Sequence, residues 1–110
     1  MTRNPLTERM RRMGFSAVDI KVKRVFRLNE GNADKPLKAF VSIVFNDALL
    51  VTGFKVFDGK KGLWVSMPKE QSPKDKKWYE SVRCLKEEVR WQIEQAILEA
   101  YSDEKPSELN

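Results

Sequence analysis

The chain has 110 residues, 41% of them hydrophobic, which suits one domain with a modest core and leaves nothing for a second to pack. It holds no histidine and a single cysteine, Cys84, so an internal disulfide and an ordinary zinc site are excluded, and most metalloenzyme readings go with them. Lys and Arg number 21 against 16 Asp and Glu; the resulting +5 favours a polyanionic partner through phosphate contacts and counterion release.

The charge divides the chain into a basic arm over residues 1–16 (+3), a body over 17–101 (+4) and an acidic tail over 102–110 (−2). No run of 18 apolar residues occurs and no secretory signal pattern opens the chain, so a cytoplasmic protein with no membrane partner is expected. In the arm, Leu6, Met10 and Met13 fall at helical spacing beside Arg3, Arg9, Arg11 and Arg12, with Asn4 and Pro5 as start signals and Gly14 as the stop. A helix that short is marginal unless it docks, so a short amphipathic helix and a frayed basic tail are both open.

Over 17–28, Val18, Ile20 and Val22 alternate with Asp19, Lys21 and Lys23, the period of a half-buried strand with a basic face. Arg24 breaks the alternation before Val25, which predicts a bulge. A polar loop leads to a second strand over 37–45, and Asn46 and Asp47, both tolerant of positive φ, turn it into a third over 49–57. Phe40, Val41, Ile43, Val44 and Phe45 are apolar at odd and even positions, so both faces of these strands need cover. One helix cannot supply that; either the sheet curls or a second subunit covers it.

Asp58 to Gly62, DGKKG, reads as a turn into a fourth strand over 63–67 stopped by Pro68, and lacks the glycines and the following helix of a phosphate loop. KEQSPKDKK, from Lys69, reads as a lysine-rich loop, with Trp78 and Tyr79 directly after it. Basic residues beside aromatics serve stacking and phosphate contact, although Trp78 as a plug for the core edge is the plainer role for that ring. Finally Leu85, Val89, Ile93, Ala96, Ile97, Ala100 and Tyr101 form the stripe of an amphipathic helix, with Glu87 and Glu88 in its first turn. Trp91 and Leu98 fall nearly opposite that stripe as a smaller apolar seam, a candidate subunit or partner contact. The elements add up to an α+β domain, a small antiparallel sheet of four to five strands with a C-terminal helix packed on it. The polar tail is expected to be disordered.

The run KAFVSIVF, then FKVFDGKKGLWVSMP, a proline-containing polar loop, an aromatic residue and a helix ending AILEAY resembles the stage V sporulation protein G (septation protein) family across residues 17–101. The most specific part is DGKKGLWVSMP, where the family has an Asp-Gly turn, a Gly-Leu-Phe-Val core and a Met-Pro stop. The resemblance implies a dimeric bacterial regulator that binds DNA, and RNA as well, with contacts from basic residues around the loop before the helix and on the helix. Here that region offers Lys69, Lys74, Lys76, Lys77, Arg83, Lys86 and Arg90. Lys21, Lys23, Arg24 and Arg27 form a second candidate patch. Glu70, the Arg83–Cys84 pair, Trp91 and the Arg-rich arm depart from the family pattern, so target preference does not carry over.

A homodimer or higher oligomer on DNA or RNA is therefore expected, and a protein-interaction module working through the two-sided strands and the Trp91–Leu98 seam is the alternative. An enzyme is not expected: no spacing suggests a pair of carboxyls in unlike environments, and Cys84 has no histidine to act as its base. Neither a cofactor nor a small-molecule substrate is implied.

Overall fold

A computed structural model describes residues 5–14, 17–28 and 35–103. Four strands, β1 (Ile20–Arg27), β2 (Leu37–Phe45), β3 (Leu49–Gly59) and β4 (Gly62–Ser66), form one antiparallel sheet in chain order. A separate two-stranded ribbon pairs β5 (Lys69–Gln71) with β6 (Trp78–Glu80). Two helices complete the fold, α1 (Pro5–Arg12) and α2 (Glu87–Ser102).

The α+β class and the helix-on-sheet packing agree with the sequence. Ala39, Val41 and Ile43 alternate along β2 and are buried, together with Ile20, Val25, Phe54, Val56, Val65 and Met67, against Ile93, Ala96 and Ile97 of α2. Burying each larger side chain of this kind stabilises the fold by about 1.5–3 kcal/mol. The bulge is where the broken alternation puts it: Val22 pairs with Ile43 and Arg24 with Ser42, leaving Lys23 without a partner in the ladder. Asn46 and Asp47 both have φ of 53°, and Ala48 N–H donates to the Phe45 carbonyl across them at 2.9 Å. The DGKKG segment is a tight hairpin in which Gly59 faces Gly62 and only Lys60 and Lys61 lie between.

The second face of the sheet is apolar, as the two-sided strands predict, and it is open in the single chain. Phe26 lies opposite Phe40, and Phe40 opposite Lys55; Phe57 stacks on Trp64 with ring centroids 4.5 Å apart. Phe26, Phe40 and Trp64 are exposed.

Three expectations need correction. The segment from Lys69 is a β-hairpin rather than a plain loop, because its three-residue strands are held by backbone pairing and bury too little to leave a hydrophobic period. Leu85 is not part of the helical stripe: α2 begins at Glu87 and Leu85 is 90% exposed. Leu98 is not on an outer seam with Trp91, since it packs against the core cluster and lines a cleft beneath β4, whereas Trp91 lies beside α1.

The arm is a docked helix, not a frayed tail. Thr7 and Met10 are buried, and a polar clip ties α1 to the start of β1 and to α2. The Gln92 side-chain amide accepts from Val18 N–H at 3.1 Å and donates to the Val18 carbonyl at 2.6 Å and to Thr7 Oγ1 at 2.7 Å. Thr7 Oγ1 in turn donates to the same carbonyl at 3.1 Å. The Asn4 cap and the tail beyond residue 103 lie outside the described residues. Among the described residues no helix is long and apolar enough to cross a membrane.

Candidate nucleic-acid interface

The β5–β6 hairpin carries the densest group of candidate residues. Its ladder sets Lys69 opposite Glu80, Glu70 opposite Tyr79 and Gln71 opposite Trp78. The connection between the strands is built by backbone bonds and by polar side chains. Ser72 N–H donates to the Lys77 carbonyl at 2.8 Å and Lys76 N–H to the Ser72 carbonyl at 2.9 Å. Ser72 Oγ accepts from Lys74 N–H at 3.2 Å, and Gln71 Nε2 donates to the Lys76 carbonyl at 3.0 Å.

Asp75 is the organiser. One carboxylate oxygen accepts from Lys77 N–H at 2.9 Å and the other from the Tyr79 hydroxyl at 2.6 Å. The Tyr79 bond first, and the Lys77 amide second, hold the Asp75 carboxyl below its ordinary value of 3.8. The same bond lifts the Tyr79 phenol above its ordinary 10.0. Lys76 takes a left-handed φ of 64°, which lets the chain fold back within the loop.

This arrangement holds Lys74, Lys76 and Lys77 outward next to the exposed rings of Trp78 and Tyr79. No ion pair among the described residues uses these three lysines. Lys55 Nζ stands 5.6 Å from the centroid of the Trp78 ring, so the ring already carries a cation, and at 58% exposure it does not plug the core.

The other candidates are placed differently. Arg83 and Arg90 converge on Glu80, at 3.8 and 3.7 Å, and Arg90 also meets Glu94 at 3.4 Å, so both guanidinium groups are partly neutralised at the base of the hairpin. Lys69 is exposed and lines a cleft of about 330 Å³ with Glu80, Arg90, Glu94 and Leu98. Lys86 is exposed at the N-cap of α2 and offers no side-chain cap. The second patch lies on β1, at the sheet edge opposite β4. Three strand spacings, roughly 14 Å, separate those two edges. Lys23 and Arg24 are exposed there, while Lys21 is 3.0 Å from Asp47. Arg27 is engaged in holding the fold, since it donates to the carbonyls of Tyr101 and Asp103 and lies over the Tyr101 ring. It thereby supplies the cation that the last turn of α2 lacks.

Sequence reasoning passed over Asp75 and Gln92. A signal for Asp75 was present in SPKDKK, since Ser and Asp each bond to backbone two residues on in such turns. Gln92 has no such signal, because a polar residue on a helix reads as solvent-facing until its partner is known. Among the described residues no group of three or more His, Cys, Asp or Glu side chains is placed to hold a metal ion.

A family model described as SpoVG matches residues 15–103 of the chain. A protein named "Putative septation protein SpoVG" from Symbiobacterium thermophilum is 43% identical over 75 residues, which is 68% of this chain and 53% of that one, so the chain spans about half the length of this relative. The protein of the same name from Archaeoglobus fulgidus is 34% identical over 72% of this chain and 92% of its own. That from Heliobacterium modesticaldum is 32% identical over 81% of this chain and 92% of its own.

Proposed function

The chain belongs to the SpoVG family, and from that premise we propose that it is a regulatory protein that binds DNA or RNA as a homodimer, in the septation context its relatives are named for. The observation that carries the proposal is the hairpin loop. It holds three lysines free of ion pairs among the described residues, beside two exposed aromatic rings, on a frame fixed by Asp75. Lys74, Lys76 and Lys77 contact phosphates, with Lys69 and Lys86 extending the track. Arg83 and Arg90 contribute less, because Glu80 already meets them. Such contacts position a nucleic acid without reading bases. Lys23 and Arg24 lie at the far sheet edge and belong to a second, independent contact.

The dimer contact is the open sheet face. Phe26, Phe40 and Trp64 form an exposed apolar surface that a second copy covers. The same exposure favours one other reading, a module that binds a different protein with this face and leaves the lysines idle. Binding to duplex DNA and to structured RNA, measured at two salt concentrations with equilibrium sedimentation of the free chain, separates the two. Steep salt dependence and a dimer support the proposal; a monomer whose nucleic-acid binding is absent or indifferent to salt sinks it.

A further inference from the structure

We propose that the cleft between α1 and α2 is a second self-association surface, in which two copies meet about a two-fold axis and Arg9 of each faces Glu87 and Glu88 of the other.

The cleft has a volume of about 560 Å³. Its α1 wall presents Leu6, Met10 and Met13 at i, i+4 and i+7, and its α2 wall presents Trp91, four residues after Glu87. Met13 is 63% and Trp91 48% exposed, so the apolar floor is open to water. The stripe on α1, of which Met10 is already buried and Met13 is open, and the Trp91 ring on α2 together make an apolar seat for a helix. The seat exists before any partner arrives, because the Thr7–Gln92–Val18 clip fixes α1 against α2.

Charge selects the occupant. Arg9 stands on one wall and Glu87 and Glu88 on the other, and no ion pair among the described residues uses any of the three. A patch with opposite charges on opposite walls and an apolar middle is complementary to itself, since rotation by half a turn brings each charge over its opposite. The α1 of a second copy carries what the cleft accepts: an apolar stripe flanked by arginine.

The surface is separate from the sheet face, and it uses a helix that precedes residue 15, where the SpoVG match begins. Its exposed apolar side chains cover much less than the ~800 Å² per partner of a standard interface, so the association is weak in free solution. Where the sheet-face dimer also forms, a consequence that rests on the proposed function, two distinct two-fold contacts link dimers into a tetramer or a row. Binding along a nucleic acid then becomes cooperative.

The test needs no nucleic acid. Sedimentation velocity is run on the full chain across a wide concentration range, with folding checked by circular dichroism. The cleft contact is a monomer–dimer step if the sheet face does not associate and a dimer–tetramer step if it does, so failure of the sheet-face reading is seen separately. Arg9→Glu alone, and the Glu87→Lys/Glu88→Lys pair alone, are expected to move the step to at least tenfold higher concentration. Mixing the two variants is expected to restore it as a heteromer, because each reversed wall then meets its reversed opposite. A wild-type chain that shows no such step, single variants that leave it in place, or a mixture that restores nothing overturns the proposal.

Discussion

Polar side chains fasten α1 to the sheet-and-helix core and fasten the β5–β6 hairpin within itself, yet water reaches the second set of contacts and not the first. Gln92 and Thr7 are fully buried, and their bonds to Val18 replace solvent. Asp75 and Tyr79 make a bond as short, but in the open. The same type of contact therefore has different consequences. Losing a partner in a dry network strands the remaining donors and acceptors, whereas losing one in water only exchanges it for solvent. The clip secures the fold, and the hairpin organises a surface.

The strongest way to break this contrast is Gln92→Ala. It leaves the Val18 N–H and carbonyl without their side-chain amide and is expected to cost about 3 kcal/mol, read as a lower urea midpoint. A loss near zero would mean that water enters the clip as freely as it reaches the hairpin.

Next in size, Lys74→Ala/Lys76→Ala/Lys77→Ala is expected to leave the urea midpoint nearly unchanged. On duplex DNA the slope of log K against log salt should fall by about 2.7, roughly 0.9 for each phosphate that is no longer neutralised. An unchanged slope removes the hairpin from the interface.

A smaller effect follows pH. The Asp75 carboxyl is lowered in the folded hairpin, so its contribution is whole above the ordinary 3.8 and fades as pH falls through the lower folded value. The Tyr79 phenol is raised, so its contribution is whole below 10.0 and fades as pH rises through the higher folded value. Between those limits the loop stays closed. The Lys77 amide resonance should be flat across that window and move only in acid and in strong alkali, with Asp75→Asn abolishing the acid limb. Movement near neutrality would contradict the assignment.

The smallest change is expected from Leu85→Ser. Leu85 lies between the hairpin and α2 and is almost wholly solvated, so stability should shift by less than about 0.5 kcal/mol. A larger loss in the free chain would show that this leucine is covered in solution.

The sequence was most readable where burial imposes a period. Ala39, Val41 and Ile43 mark β2, Ile93, Ala96 and Ile97 mark the inner face of α2, and Arg24 marks the bulge because it interrupts an otherwise regular strand. The hairpin was less legible, since Lys69–Gln71 and Trp78–Glu80 are largely exposed and their order comes from backbone pairing and from Asp75. Leu85 misled because an apolar residue one turn before Val89 extends the stripe on paper, although the backbone becomes helical only at Glu87. The docking of α1 was hidden for the opposite reason. Its key contacts are polar, and apolar periodicity assigns Thr7 and Gln92 to solvent.

The bulge in β1 has a consequence for how the sheet can grow. A free strand edge is a template on which another extended chain can assemble, residue by residue. At Lys23 that template is out of step by one residue, and its neighbours Lys21 and Arg24 add charge to the same stretch. An incoming strand would need the same extra residue to stay in register, so the bulge works against extension of the sheet at the β1 edge.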